Sequence, residues 1–230
     1  MISNSWHRPA QDAPARLASR VETVRARQGF RAMPDKIAEH YEQHAHAFDA
    51  ERRKNFVERG WLDRFTLAVA KGGHILDLGC GAGEPIGRYL VDKGYHVTGV
   101  DTSEKMIALS RTRYPRHIWL RADMRKAIMA RNFEGVLAWD SLFHLPHDDQ
   151  AGMITRMAGW LQPGGAMLFN TGPARGEATG QQFGEDIYHA SLAPLEYRAL
   201  FEELGLMEID FVPDDHHVGG RSVWFVRKGH

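Results

Sequence analysis

Between His74 and Asn170 the chain alternates short apolar runs with helical stretches, and this alternation restricts the fold more than any other feature. His74–Leu78, Tyr95–Val100, His117–Leu120, Phe133–Trp139 and Ala166–Asn170 read as buried strands. Helical patterns fall between them: Glu84–Val91, a stretch that Ser103 caps ahead of Met106, Ile107 and Leu109, and Asp148–Leu161. Strands separated by helices pair in parallel through right-handed crossovers, so the fold class is α/β with a doubly wound sheet. A further helix, Ala193–Leu204, leads to two strands, Met207–Val212 and Ser222–Val226, joined by a long loop.

Residues 1–70 have a different texture. Six arginines and few acids mark residues 1–33, where Asp12 can cap a helix carrying Leu17, Val21 and Val24 on one face. Helical stretches over 35–48 and 56–69 follow without a Pro/Gly/Ser linker, and 1–70 is expected to form a helical cap on a main domain of residues 71–230. The whole chain of 230 residues carries 29 Lys+Arg against 29 Asp+Glu, which removes the electrostatic case for a DNA or membrane-surface partner. The single cysteine, Cys80, can form no intramolecular disulfide, and no apolar run approaches the roughly 18 residues of a membrane span. A soluble, cytoplasmic protein is expected, as a monomer or homodimer.

In open α/β sheets ligands bind beyond the carboxyl ends of the strands. Those ends are Asp77–Gly83, Asp101–Thr102, Asp123–Met124, Trp139–His144 and Asn170–Gly172. Glycines at 79, 81 and 83 let the backbone turn tightly and approach a ligand, with Cys80 as a small residue in the turn. A dinucleotide pyrophosphate wants a bare helix N-terminus. Here Glu84 stands at that terminus and Asp77 just before the loop, and the glycine spacing is one residue short of the dinucleotide pattern. A ligand with an amine and a sulfonium and no phosphate, such as S-adenosylmethionine, suits this charge. Asp101 would accept ribose hydroxyls, Asp123 would meet the adenine amino group, and Met124 and Met106 would pack on the ring.

Leu76–Gly83 (LDLGCGAG), Val100–Met106 (VDTSEKM), Ala122–Met124 and Leu161–Gly165 resemble, in order, the motifs of class I S-adenosylmethionine-dependent methyltransferases. The resemblance covers residues 74–227. It implies a Rossmann-like sheet of seven strands with the last antiparallel, S-adenosylmethionine as cofactor, and cofactor contacts at Gly79, Gly81, Asp101, Asp123 and Met124; Asp77, Cys80, Thr102, Met106 and Trp139, at the same strand ends and loops, are the further cofactor-binding candidates. The helix around Ile37–Asp49 is similar to the family's N-terminal lid and would lay Tyr41 over the cofactor. Ala138–Pro146 and Asn170–Glu177 with Tyr188–Ser191 look like a bacterial subgroup of small soluble methyltransferases, which raises the case for the reaction and adds almost nothing about the acceptor.

Methyl transfer from a sulfonium is an in-line displacement that needs the acceptor held about 3 Å from the methyl carbon. A hydroxyl or ammonium acceptor also needs a base. The candidates are Asp140, His144 and His189, with His189 in a polar insert, 172–191, expected to cover the site as a lid. His40, His44 and His46, and the Asp214–His217 loop, lack the spacing of a zinc motif, so no metal is expected. The reading is methyl transfer to oxygen or nitrogen of a small molecule. Alternatives are a macromolecular methyltransferase with residues 1–33 as an RNA-binding arm, a nicotinamide dehydrogenase, and a cofactor-fold protein without turnover.

Overall fold

The structure is a computed structural model that describes residues 33–230. The helix expected from Asp12 and the arginines of residues 1–33 lie outside the described residues, apart from Met33.

Seven strands form one sheet in the order β3-β2-β1-β4-β5-β9-β8. They are β1 His74–Leu78, β2 His96–Asp101, β3 Ile118–Arg121, β4 Phe133–Ala138, β5 Leu161–Thr171, β8 Leu206–Asp215 and β9 Arg221–Lys228. The pairs among β1 to β5 are parallel, and β9 is antiparallel to both its neighbours. The doubly wound class with an antiparallel final strand is therefore as expected. β5 begins at Leu161, earlier than the expected Ala166, so Pro163-Gly164-Gly165 lies inside the strand, where its pairing with β4 shifts register between Phe133 and Gly135.

The two-residue period of a strand is visible in the core. Leu76 and Leu78 of β1, with Met167 and Phe169 of β5, face one apolar layer. Ile75, Ala166 and Leu168 face the other. Met153 and Met157 of α6 (His147–Trp160), and Tyr197 and Phe201 of α7 (Pro194–Glu203), close the first layer. Trp61, Leu62 and Phe65 of α3 (Arg59–Ala68), with Tyr89 and Leu90 of α4 (Ile86–Asp92), close the second. Each buried side chain of this size contributes about 1.5–3 kcal/mol of transfer free energy.

The N-terminal helical stretch over 35–48 is broken at His44 into α1 (Met33–Gln43) and α2 (Ala45–Arg52). The break turns Asp49 onto Arg113 of α5 (Glu104–Arg113), where two contacts of 2.6 Å form a bidentate pair. Glu42 of α1 accepts from the Ser103 hydroxyl at 2.6 Å, while the same hydroxyl caps α5 by accepting from the Met106 N–H. The insert is a β-hairpin, β6 (Gly176–Gln182) and β7 (Glu185–Ser191). Its turn residues, Phe183 and Gly184, both have positive φ, the geometry of a tight two-residue hairpin that the strand twist favours.

Candidate active site

One cavity of about 240 Å³ opens at the carboxyl ends of β1, β2 and β4, under α1 and α2. Its wall includes Tyr41, Asp77, Gly79, Cys80, Gly81, Asp101, Thr102, Met106, Asp123, Met124 and Trp139, together with Asp140 and His144. His189 is not on that wall. It lies behind His144, ring stacked on ring at 5.1 Å, with Phe143 edge-on to both. Phe48, Arg52, Arg125 and Ser141 also line the cavity and were not singled out from the sequence.

The glycine loop is turned inward on the protein. Gly79 and Cys80 donate their amides to the Val100 carbonyl, Gly83 donates to Cys80, and Gly81 donates to Asp101 Oδ2 at 2.9 Å. These four donors are spent, so the loop is no cradle for a pyrophosphate. Gly79 has φ +75, and a Cβ there would stand 2.3 Å from that of Ser141. At Gly81, φ +52, the nearest atoms are Met106 Sδ and Phe48 at 3.8 and 4.0 Å, both residues of the cavity wall. The Glu84 carboxylate accepts from the Tyr114 hydroxyl at 2.6 Å and keeps negative charge on the rim.

Asp101 joins the two loops: Oδ1 accepts from the Ser103 N–H and Oδ2 from Gly81. Burial pushes its carboxyl above the usual range against those hydrogen bonds. Asp77 is 2% exposed, and its side-chain carboxylate receives no hydrogen bond from any described residue. Burial, and then the Asp101 charge, push its carboxyl up to about 7. Asp123 is already engaged, since the Arg125 guanidinium donates to it from Nε and Nη2 and reaches on to Asp149. That engagement holds Asp123 below its usual range even though burial opposes it.

The residues after β4 are tightly held. Asp140 has φ +51, a conformation fixed by its N–H donating to Asn170 Oδ1 at 2.8 Å. Its carboxylate takes Arg221 in a bidentate pair, 2.6 and 2.7 Å, and the Asn170 amide at 2.8 Å. Burial would raise its carboxyl, yet the Arg221 guanidinium holds it below the usual range. With both oxygens accepting, Asp140 is an anion and not a free base.

His144 has a defined tautomer. Nδ1 donates to the Tyr188 carbonyl at 2.9 Å, which leaves Nε2 as the acceptor of the Tyr41 hydroxyl at 3.1 Å. Burial, then the neighbouring His189, lower it to about 3, and burial lowers His189 to about 4. Both rings are neutral at physiological pH. Burial raises the Tyr41 phenol, so its proton stays in place.

Residues 75–165 match the family model of a methyltransferase domain. A malonyl-[acyl-carrier protein] O-methyltransferase of Enterobacter lignolyticus is 29% identical over 147 residues, 63% of this chain and 54% of that protein. A ubiquinone biosynthesis O-methyltransferase of Aromatoleum aromaticum is 31% identical over 127 residues, 51% of this chain and 50% of that protein. The chain thus spans about half the length of these relatives. An S-adenosylmethionine-dependent methyltransferase structure from Clostridium acetobutylicum superposes with a TM-score of 0.64 at 15% identity, covering 83% of this chain and 99% of the other. The sheet order and the glycine loop thus agree with the matched segment: residues 75–165 match the family model of a methyltransferase domain, and the chain has the fold of the solved S-adenosylmethionine-dependent methyltransferase.

Proposed function

We propose that the protein is an S-adenosylmethionine-dependent methyltransferase that methylates oxygen or nitrogen of a small molecule. The observation that carries this is the charge of the cavity: an unpaired buried carboxylate at Asp77 beside a glycine loop whose amides are already donated. That combination fits a ligand with an ammonium and no phosphate, and disfavours a dinucleotide. Asp77 would take the ammonium, Asp101 the ribose hydroxyls, and Met106 and Met124 the adenine faces. Bound there, S-adenosylmethionine supplies an electrophilic methyl group. The relatives named as O-methyltransferases support methyl transfer to oxygen, and the one named for ubiquinone biosynthesis supports the small-molecule reading.

The protein's own contribution is placement and one proton. His144 presents its Nε2 lone pair on the cavity wall, screened by the Tyr41 hydroxyl. When Tyr41 turns aside, that nitrogen accepts the proton of a hydroxyl acceptor as the arriving methyl group makes the oxygen strongly acidic, so that a ring held at about 3 suffices, while the Tyr188 carbonyl steadies the imidazolium through Nδ1–H. His189 acts as a positioning residue by stacking on His144, and Asp140 by holding the β4 end against β5 through Asn170. The hairpin β6–β7 would act as the acceptor's lid. A single buried thiol, Cys80, suits the cytoplasm.

Calorimetric titration with S-adenosylhomocysteine, with NAD as control, tests the reading. Micromolar binding of the first, absent for NAD and lost in Asp101→Ala, is the expected result. Binding of NAD instead would overturn it.

A further inference from the structure

His40 and His44 lie one helical turn apart at the end of α1, and the hairpin turn brings Glu185 against both. His40 Nδ1 is 2.5 Å from Glu185 Oε2, and His44 Nε2 is 3.6 Å from Glu185 Oε1. One ligand atom from each of the three residues falls within 4.8 Å of the others. Ligands at the corners of a tetrahedron with zinc bond lengths stand about 3.3 Å apart, so the observed separations bracket what one small ion requires.

Two further details point to a cation. His40 Nε2 faces Gln182 Oε1 at 3.2 Å and Nδ1 faces the Glu185 carboxylate, so both ring nitrogens meet acceptors while a neutral ring has one hydrogen to give. Two acceptors at 2.5 Å need a positive centre between them, either a proton or a metal. His44 Nε2 is buried with no hydrogen-bond partner, and the carboxylate oxygen at 3.6 Å is its neighbour in the cluster. A ligating imidazole usually donates its other N–H to an oxygen acceptor behind it, and Gln182 Oε1 stands in that place behind His40.

We propose that His40, His44 and Glu185 form a binding site for a divalent transition metal of the zinc class, which latches α1 to the β6–β7 hairpin beside the cavity. Two imidazoles and one carboxylate are borderline ligands that suit zinc over magnesium or calcium. Water takes the fourth position on the open side, where Glu185 is 44% exposed. On binding, the proton shared by His40 and Glu185 leaves to solvent and the metal takes its place. Tyr41 sits between the two histidines and lines the cavity, so the latch fixes the helix that covers the site.

The test uses the full chain without an affinity tag, stripped with a chelator, then titrated with Zn²⁺ against a chromophoric competitor. One equivalent should bind with micromolar or tighter Kd. His40→Asn, His44→Asn and Glu185→Gln should each weaken it at least about tenfold, and Gln182→Ala by about tenfold. His217→Asn, in the other histidine-bearing loop, should leave it unchanged. Glu185→Gln changes a half-exposed hairpin side chain, so it decides the matter if a histidine variant fails to fold. Zn²⁺ should also slow hydrogen exchange across residues 33–43 in the wild type and not in Glu185→Gln. Absence of binding, binding that survives the three ligand variants, or unchanged exchange in the metal-bound wild type would overturn the proposal. None of these readouts depends on the cofactor or on methyl transfer.

Discussion

Asp140 and Arg221 are 81 residues apart in sequence and meet in a bidentate pair at the carboxyl end of β4, each less than one-fifth exposed. The pair fastens the antiparallel strand β9 to the loop that closes the cavity. Removing the cation leaves a buried anion without its partner, which costs about 3 kcal/mol. Arg221→Met is expected to lower unfolding free energy by about that amount in urea titrations at pH 7, and Asp140→Asn in the same background to recover part of it. The folded carboxyl is depressed, so its contribution is present above the unfolded value of about 3.9 and fades as pH falls through the folded value. Arg221→Met should therefore show a flatter loss of stability in acid than the wild type.

Asp77 predicts how ligand binding depends on pH. Its carboxyl titrates at about 7, and only the ionised form pairs with an ammonium. Affinity for S-adenosylhomocysteine should rise between pH 6 and 8, by about tenfold in all, and then level off. The cavity histidine His144 does not titrate in that window, being held at about 3. Asp77→Asn should bind weakly with no such slope. Calorimetry at four pH values checks this, and a wild-type profile that is flat would count against Asp77 as the ammonium site.

Much of the cavity was legible because its residues sit at strand ends, and strand ends follow from local pattern. Asp77, Asp101 and Trp139 each follow an apolar run, and a parallel sheet brings such ends together whatever the loops do. Arg221 was not legible. Its neighbour Ser222 pairs with Thr171, and this antiparallel register is what delivers the guanidinium to Asp140. No local signal reports a register between strands that distant. The hairpin was missed for another reason: Phe183-Gly184 turns without the Asn-Gly or Asp-Gly pair that announces such turns. The break in the first helical stretch has no Gly or Pro to mark it. It precedes the segment that pairs Asp49 with Arg113, a contact between distant parts of the chain that no local pattern reports.

Two glycines of one loop should respond differently to the same substitution. At Gly79 a methyl group meets Ser141 at 2.3 Å under a positive φ, so Gly79→Ala is expected to cost about 2–4 kcal/mol of stability. At Gly81 a methyl group makes only ordinary contacts, and the backbone conformation alone costs, about 1 kcal/mol. The added methyl there stands near Met106 and Phe48 on the cavity wall, so Gly81→Ala should lose ligand affinity while keeping most of its stability. Thermal unfolding beside calorimetry separates the two. Equal stability losses would mean the loop relaxes as a unit.

The stacked pair His144 and His189 makes a prediction about acid and one about turnover. Both folded pKa values are depressed, to about 3 and about 4, against an unfolded value of about 6.5. Between those limits the unfolded chain binds protons that the folded chain refuses, so stability falls as pH drops below about 6.5. Each histidine adds up to about 1.4 kcal/mol per pH unit within its window. His189→Asn should reduce that slope between pH 6 and 4.5, read as denaturation midpoints at each pH. It should also lower turnover less than His144→Gln, because His189 supports the ring and does not reach the cavity. Loss of a positioned base costs about 10²-fold or more, and the affinity for S-adenosylhomocysteine should survive His144→Gln. Normal turnover in His144→Gln with an acceptor found by screening would remove it as the base and leave catalysis to placement alone.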